Sequence, residues 1–381
     1  MIFDVLLHVI SLADIATQSR VMKTCKSLYR YGARELLRSI EVHIPTEAKL
    51  HSFLLFMHAD PSVRIPCLRG LSIYREIRIS SQTRTLLTDL FLRLAESERS
   101  VFWYLSLDYA KDLFLADNLL ARAVGQLHSL TSVHMYSAGI QAAAVLQLLG
   151  KNSHLIDVSI GFQDKLLASS YYTAAQVDPV HLLRFSKDTL KSLTVKNWFL
   201  MTRTFTAYPR LRNLTIMGEW VPATPKLRRA FPNLSRLYVY GDPTVSPRHY
   251  ASRRERNRID QLVHGSWSTP WNCFLGELVH LYVLAPICHI QHILLEVEDW
   301  QSTDAGQLRE VMADVRPEHL EFIPLELRSG ETLLHDDWLD ALSERRDPRL
   351  KVLQIDLEVL GDDEHADLGQ ALVSIIWPLN S

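Results

Sequence analysis

Two stretches of this chain repeat one pattern: AYPRLRNLTIMG, residues 207–218, and AFPNLSRLYVYG, residues 230–241. Each reads Ala, aromatic, Pro, polar, Leu, two variable residues, Leu, one variable residue, Ile or Val, one more residue, Gly. A unit this small cannot bury its own apolar face. Repetition therefore implies stacked copies that share a core, which restricts the fold more than any single motif does. The spacing Leu-x-x-Leu-x-aliphatic, relaxed to other apolar side chains, recurs from Leu68, Phe102, Leu130, Leu155, Leu190, Leu211, Leu234, Leu278, Leu320 and Leu350. The steps run from 21 residues (190 to 211) to 44 (234 to 278), so several units carry insertions, and Pro324 falls inside the ninth.

Alternation of the kind Leu-x-Ile is the period of a short strand with one buried face, and the segments between have helical spacing. Leu86, Leu87, Leu90, Phe91 and Leu94 form one such helical stripe, and Val145, Leu146, Leu148 and Leu149 another. The expected class is α/β. The units resemble degenerate leucine-rich repeats, since the Asn that usually follows the strand is missing from most of them. The resemblance implies an irregular solenoid with a curved parallel sheet on its concave face and helices on the convex face.

In each expected strand the residues before, between and after the last two aliphatics point away from the core. Those positions include Tyr104, Asp108, His134, Tyr136, Asp157, Lys196, Arg236, Tyr238, Tyr240, His280 and Tyr282. Tyr offers a large contact area with a polar tip, and Tyr and Arg are enriched at binding hot spots. Tyr104, His134, Tyr136, Arg236, Tyr238, Tyr240, His280 and Tyr282 are accordingly the candidate residues for binding a protein partner. The last five are expected on adjacent strands.

Residues 1–45 do not fit the repeat and read as a separate helical domain ahead of the repeats at 46–381. Ile2, Val5, Leu6, Val9 and Ile10 share a helical face; Asp14 is placed to cap a second helix whose face is Val21, Met22, Cys25, Leu28 and Tyr29. Val5-Leu6-x-x-Val9-Ile10, Asp14-Ile15, Val21-Met22-x-x-Cys25-Lys26-Ser27-Leu28 and Leu36-Leu37-x-x-Ile40 together resemble the F-box. In that family leucine-rich repeats commonly follow, and the irregular form resembles those of fungi. The family's Leu-Pro before the first helix is absent, and Leu28 stands where a Trp is often found. The resemblance implies a substrate-recruiting adaptor of a cullin–RING ubiquitin ligase. It would bind a Skp-type linker through Leu6, Ile10, Val21, Cys25 and Lys26 and an unidentified protein substrate through the repeats. The alternative is an interaction scaffold whose F-box-like helices engage no ligase.

The sequence offers little for catalysis. No two glycines are closer than eight positions (361 to 369), which rules out Gly-x-Ser-x-Gly, Gly-x-Gly-x-x-Gly and phosphate-loop motifs. No His-Glu-x-x-His helix occurs and no Cys pair has zinc-knuckle spacing. Cys288-His289-x-x-His292 reads as part of an apolar segment, so neither metal nor cofactor is expected, and the chain reads as a non-enzyme. With 41 basic and 43 acidic side chains, net charge −2, there is no overall field for nucleic acid or membrane. The run Arg248–Arg258 reads as a solvated loop leading into a helix at 256–263, the alternative being a nuclear-import or nucleic-acid patch, and with Trp267 and Trp271 it reads as an insertion on the solenoid rim that adds to a partner site. Four widely spaced cysteines and the lack of a leader or an 18-residue apolar stretch point to a reducing, cytoplasmic or nuclear setting.

Overall fold

The computed structural model describes residues 5, 6, 8, 9, 12–39, 41–74, 79–162, 178–196, 206–218, 223–241, 247–296, 304–327 and 349–359. The chain forms two compact units, Met1–Lys191 and Ser192–Ser381. Both are α/β, with parallel strands in chain order and, among the described residues, helices in most of the crossovers.

In the first unit Asp14 accepts the Thr17 N–H at 2.9 Å and caps α1 (Ile15–Met22), as its position predicts. The next helix, α2 (Lys26–Ser39), crosses α1 so closely that a Cβ on Gly32 would collide with Met22. Tyr29 on α2 meets Phe56 edge-on at 6.2 Å, and the buried Arg64 guanidinium lies over both rings, at 5.2 and 4.1 Å. These contacts fasten the N-terminal helices to α3 (Glu47–Ala59) and α4 (Pro61–Arg64). The sheet begins earlier than the sequence suggests. β1 (Glu41–Ile44), inside the segment read as helical, pairs with β2 (Gly70–Ile73), Val42 beside Leu71 and Ile44 beside Ile73. β3 (Tyr104–Leu107), β4 (Ser132–Ala138) and β5 (Asp157–Phe162) follow, all parallel.

Helices α5 (Ser81–Glu96), α6 (Ala110–Ala116), α7 (Asn118–Gly125), α8 (Ile140–Asn152) and α9 (Pro179–Leu182) fill the crossovers. Leu87, Leu90, Phe91 and Leu94 of α5 and Val145, Leu146 and Leu149 of α8 are buried, as their stripes predict, whereas Leu86 is half-buried and Leu148 is exposed. So are the aligned aliphatics of β2–β5: Leu71, Leu105, Val133 and Val158 in one row, Ile73, Leu107, Met135 and Ile160 in the next. Hydroxyls stitch successive units together: Ser129 Oγ donates to the Phe102 carbonyl at 2.7 Å, and Thr189 Oγ1 to that of Leu155 at 2.8 Å. Each precedes the first Leu of its own unit and satisfies the carbonyl of the unit before.

The second unit holds β6 (Ser192–Lys196), β7 (Asn213–Met217), β8 (Arg236–Tyr240), β9 (Trp271–Gly276), β10 (Ile290–Glu296), β11 (His319–Leu327) and β12 (Val352–Val359), again parallel and in order. Its helices are α10 (Thr224–Ala230), α11 (Tyr250–His264), α12 (Leu278–Leu284) and α13 (Ala305–Val315). The twin segments lie side by side: Leu214 pairs with Leu237 and Ile216 with Val239, while the buried rings of Tyr208 and Phe231 meet at 5.8 Å. The closing glycines have φ of 135° (Gly218) and 104° (Gly241), and a Cβ on Gly241 would sit 3.2 Å from the Gly218 backbone. Both the backbone conformation and the close approach exclude a side chain there.

Four sequence expectations need correction in this unit. Leu278 begins helix α12, not a strand, because Leu278, Leu281 and Tyr282 also match helical spacing and a short apolar run fits either period. Two strands went unread: β9, built on Trp271-x-x-Phe274-x-Gly276, and β10, on Ile290-x-x-Ile293-x-Leu295, where Trp and Ile stand in for the leading Leu. In β11 the buried pair is Leu320 and Phe322, one repeat position earlier than expected, and the ladder slips between Phe322 and Leu325, where Pro324 has no N–H to donate. The arginine run is helical from Tyr250 with Arg254 buried. Trp267 and Trp271 are core residues with rings 4.8 Å apart, not rim residues.

Candidate functional site

Between the buried rows, each strand turns a second set of side chains to the opposite face, where most are half-buried. In the first unit this face gathers three of the expected residues. Tyr104 on β3 meets the His134 ring edge-on at 5.2 Å, and Tyr136 lies 6.5 Å from His134 on the same strand, β4. Asp157 Oδ2, on β5, is 3.0 Å from His134 Nε2 and accepts from Ser132 Oγ at 3.1 Å. Ser159 Oγ donates to the Tyr136 hydroxyl at 3.0 Å, and the Tyr74 hydroxyl meets His43 Nδ1 at 3.0 Å. Register explains the assembly: Tyr104, Ser132 and Asp157 occupy one row across β3–β5, and Ser106, His134 and Ser159 the next. Burial raises the pKa of the Tyr104 phenol, with the Ser72 and Ser106 hydroxyls pulling the other way.

Ser132, His134 and Asp157 do not form a nucleophilic relay. A relay needs the serine and the carboxylate on opposite nitrogens of the imidazole, whereas here both face Nε2, the serine at 3.5 Å. The arrangement sets two tyrosine rings beside a carboxylate held in place by two neighbours.

In the second unit the face carries Arg236, Tyr238 and Tyr240 on β8, as expected, with Thr215 and Met217 on one side and Cys273 and Leu275 on the other. His280 and Tyr282 are not part of it. Both are buried in α12, and Tyr282 lies 4.5 Å beneath the Arg254 guanidinium. The face continues instead through His292, whose ring stacks on that of His319 at 5.1 Å, and Glu321, 3.5 Å from His319. His292 escaped sequence reading with its strand, β10, and His319 and Glu321 because the buried pair of β11 lies earlier than the spacing from Leu320 suggests. The signal was present: Ile290, Ile293 and Leu295 keep the repeat spacing with Ile in first place. Burial raises the pKa of the Cys273 thiol, against the opposite pull of Arg236, and that of Tyr240, to which Glu296 adds. Among the described residues no three His, Cys, Asp or Glu side chains come together in a way that could hold a metal ion.

At the N-terminus, Val5, Leu6, Val9 and Leu12 are helical and exposed, Leu6 at 38%, Val9 at 56% and Leu12 at 75%. Cys25 and Lys26 are exposed and Val21 is half-buried; Ile10 lies outside the described residues. Met22 and Leu28, by contrast, are buried. Among the described residues no helix is long and apolar enough to cross a membrane. Comparison with protein-family models and with curated protein sequences gives no match.

Proposed function

We propose that this chain is a non-catalytic recognition subunit of the F-box and leucine-rich-repeat kind. It holds a protein partner on the polar and aromatic face of its parallel strands and carries that partner to a cullin–RING ubiquitin ligase through a Skp-type linker at its N-terminal helices. One observation carries the reading. Unit after unit, the register sends Leu, Val, Ile and Met into the core and gathers Tyr, His, Arg and Asp on the other face, where they remain partly accessible. Rigid aromatic side chains with polar tips on a fixed scaffold lose little entropy on binding, the economy on which recognition hot spots depend.

The ligase half rests on the exposed apolar stripe of Val5, Leu6, Val9 and Leu12 and on the exposure of Cys25 and Lys26, since exposed apolar side chains at helical spacing offer a contact for another protein. Pull-down of a purified Skp-type linker tests it. Wild-type chain should retain the linker, and Leu6→Asp with Val9→Asp should abolish retention while leaving circular dichroism unchanged, because both side chains are already exposed. Equal retention by the variant refutes the ligase half. Failure of the wild-type chain to retain the linker leaves the second reading, a scaffold that recruits partners on its sheet face alone.

A further inference from the structure

The sheet face of the first unit has a chemical bias that specifies its partner. The outward positions of the described strands β1–β5 include the carboxylates of Glu41 and Asp157, with Asp108 directly after β3, and no Lys or Arg at all. Among them stand the rings of Tyr74, Tyr104 and Tyr136, and Asp157 keeps 38% of its side chain open to solvent. The electrostatic influence of Glu41 reaches Tyr104, raising its pKa further. Resting on the reading that this face binds a protein, we propose that it takes a basic segment of the partner, with Lys or Arg side chains lying against Tyr104 and Tyr136 and pairing with Asp157 and Glu41.

Three features favour that occupant. Carboxylates attract a cation by charge and the faces of nearby tyrosine rings attract it by their quadrupole, while the carboxylates repel an acidic segment or a nucleic acid backbone. Asp157 is pre-set: its bonds from Ser132 and His134 fix the carboxylate before a ligand arrives, so little is lost in ordering it. The floor is polar and built of small residues. Gly70, Ser72 and Ser106 occupy the outward positions between the larger side chains. The second unit lacks this bias, since its outward positions mix Lys196 and Arg236 with Glu296 and Glu321.

Fluorescence anisotropy of the full chain with fluorescein-labelled (Ser-Arg)4, at 0.05 and 0.15 M salt, tests the proposal, with (Ser-Glu)4 as the opposed probe. The arginine peptide should bind at least tenfold more tightly than the glutamate peptide. Asp157→Asn should weaken it roughly tenfold, and Glu41→Gln, which leaves the Ser132 and His134 bonds intact, several-fold. Glu321→Gln in the second unit should leave binding unchanged. Equal binding of the two peptides, no binding of either, or an equal effect of Glu321→Gln and Asp157→Asn overturns the proposal. Should Tyr136→Ala abolish binding of both peptides while Asp157→Asn changes neither, the face binds protein without charge selection. That outcome defeats the basic-segment proposal and spares the broader reading.

Discussion

Replacing Arg254 with Met should cost the second unit about 3–5 kcal/mol, and the structure shows where the cost arises. The Arg254 side chain is almost wholly buried. Its Nη2 lies 2.5 Å from Asp314 Oδ2, its Nε 2.7 Å from Glu310 Oε2, and its Nη1 donates to the Tyr282 carbonyl at 2.9 Å. Glu310 is 53% exposed, and its pair adds about 0–1 kcal/mol at most. Asp314 is only 8% exposed, and without Arg254 its carboxylate keeps, among the described residues, just Arg258, at 3.4 Å and itself partly solvated. The loss is thus mainly a stranded buried charge, moderated by Arg258 toward the lower end of that range. Arg254→Met combined with Asp314→Asn removes both charges and should recover much of the loss, since a neutral replacement of a buried pair is far cheaper than breaking one. Urea unfolding followed by near-UV circular dichroism of the buried Trp267 and Trp271 reads the effect within the same unit. A single-variant cost under about 1 kcal/mol, or a double variant as unstable as the two singles summed, would refute the argument.

Leu237 and Tyr238 are adjacent on β8 but face opposite ways, so Leu237→Ala should cost about 2–5 kcal/mol of folding. Tyr238→Ala should cost little stability and, at a hot spot, about 2 kcal/mol or more of partner binding, measured by titration calorimetry once a partner is in hand. Gly241→Ala should destabilise by about 1–3 kcal/mol in thermal melts, because φ of 104° and the Gly218 backbone both oppose a Cβ. Thiol labelling at pH 8 should modify the exposed Cys25 first and leave Cys288 untouched until unfolding. Burial pushes the Cys288 thiol up to about 12, so raising the pH to 10 still leaves it protonated and unreactive.

The repeat was legible in the sequence because its cause is local. Leu-x-x-Leu-x-aliphatic states directly which side chains of a short strand are buried, and nine of the ten units read this way contain a strand. The Asp14 cap and the apolar stripe of α5 are local for the same reason: neighbouring residues in one turn or one helix face generate them. What the Leu278 run became was decided by tertiary structure. Its spacing suits either period, and α12 forms where Arg254, Asn257 and Gln261 of α11 donate hydrogen bonds to the carbonyls of Tyr282, Val283 and Ala285. Thus a run of arginines that looks solvated in sequence supplies buried donors, and Tyr282 belongs to that contact rather than to a binding face. The meeting of His134 with Asp157, and of His292 with His319, likewise depends on which strands are neighbours and in what register. That is set by the lengths of the crossovers and by the helices that cover them, neither of which is written in the residues that meet.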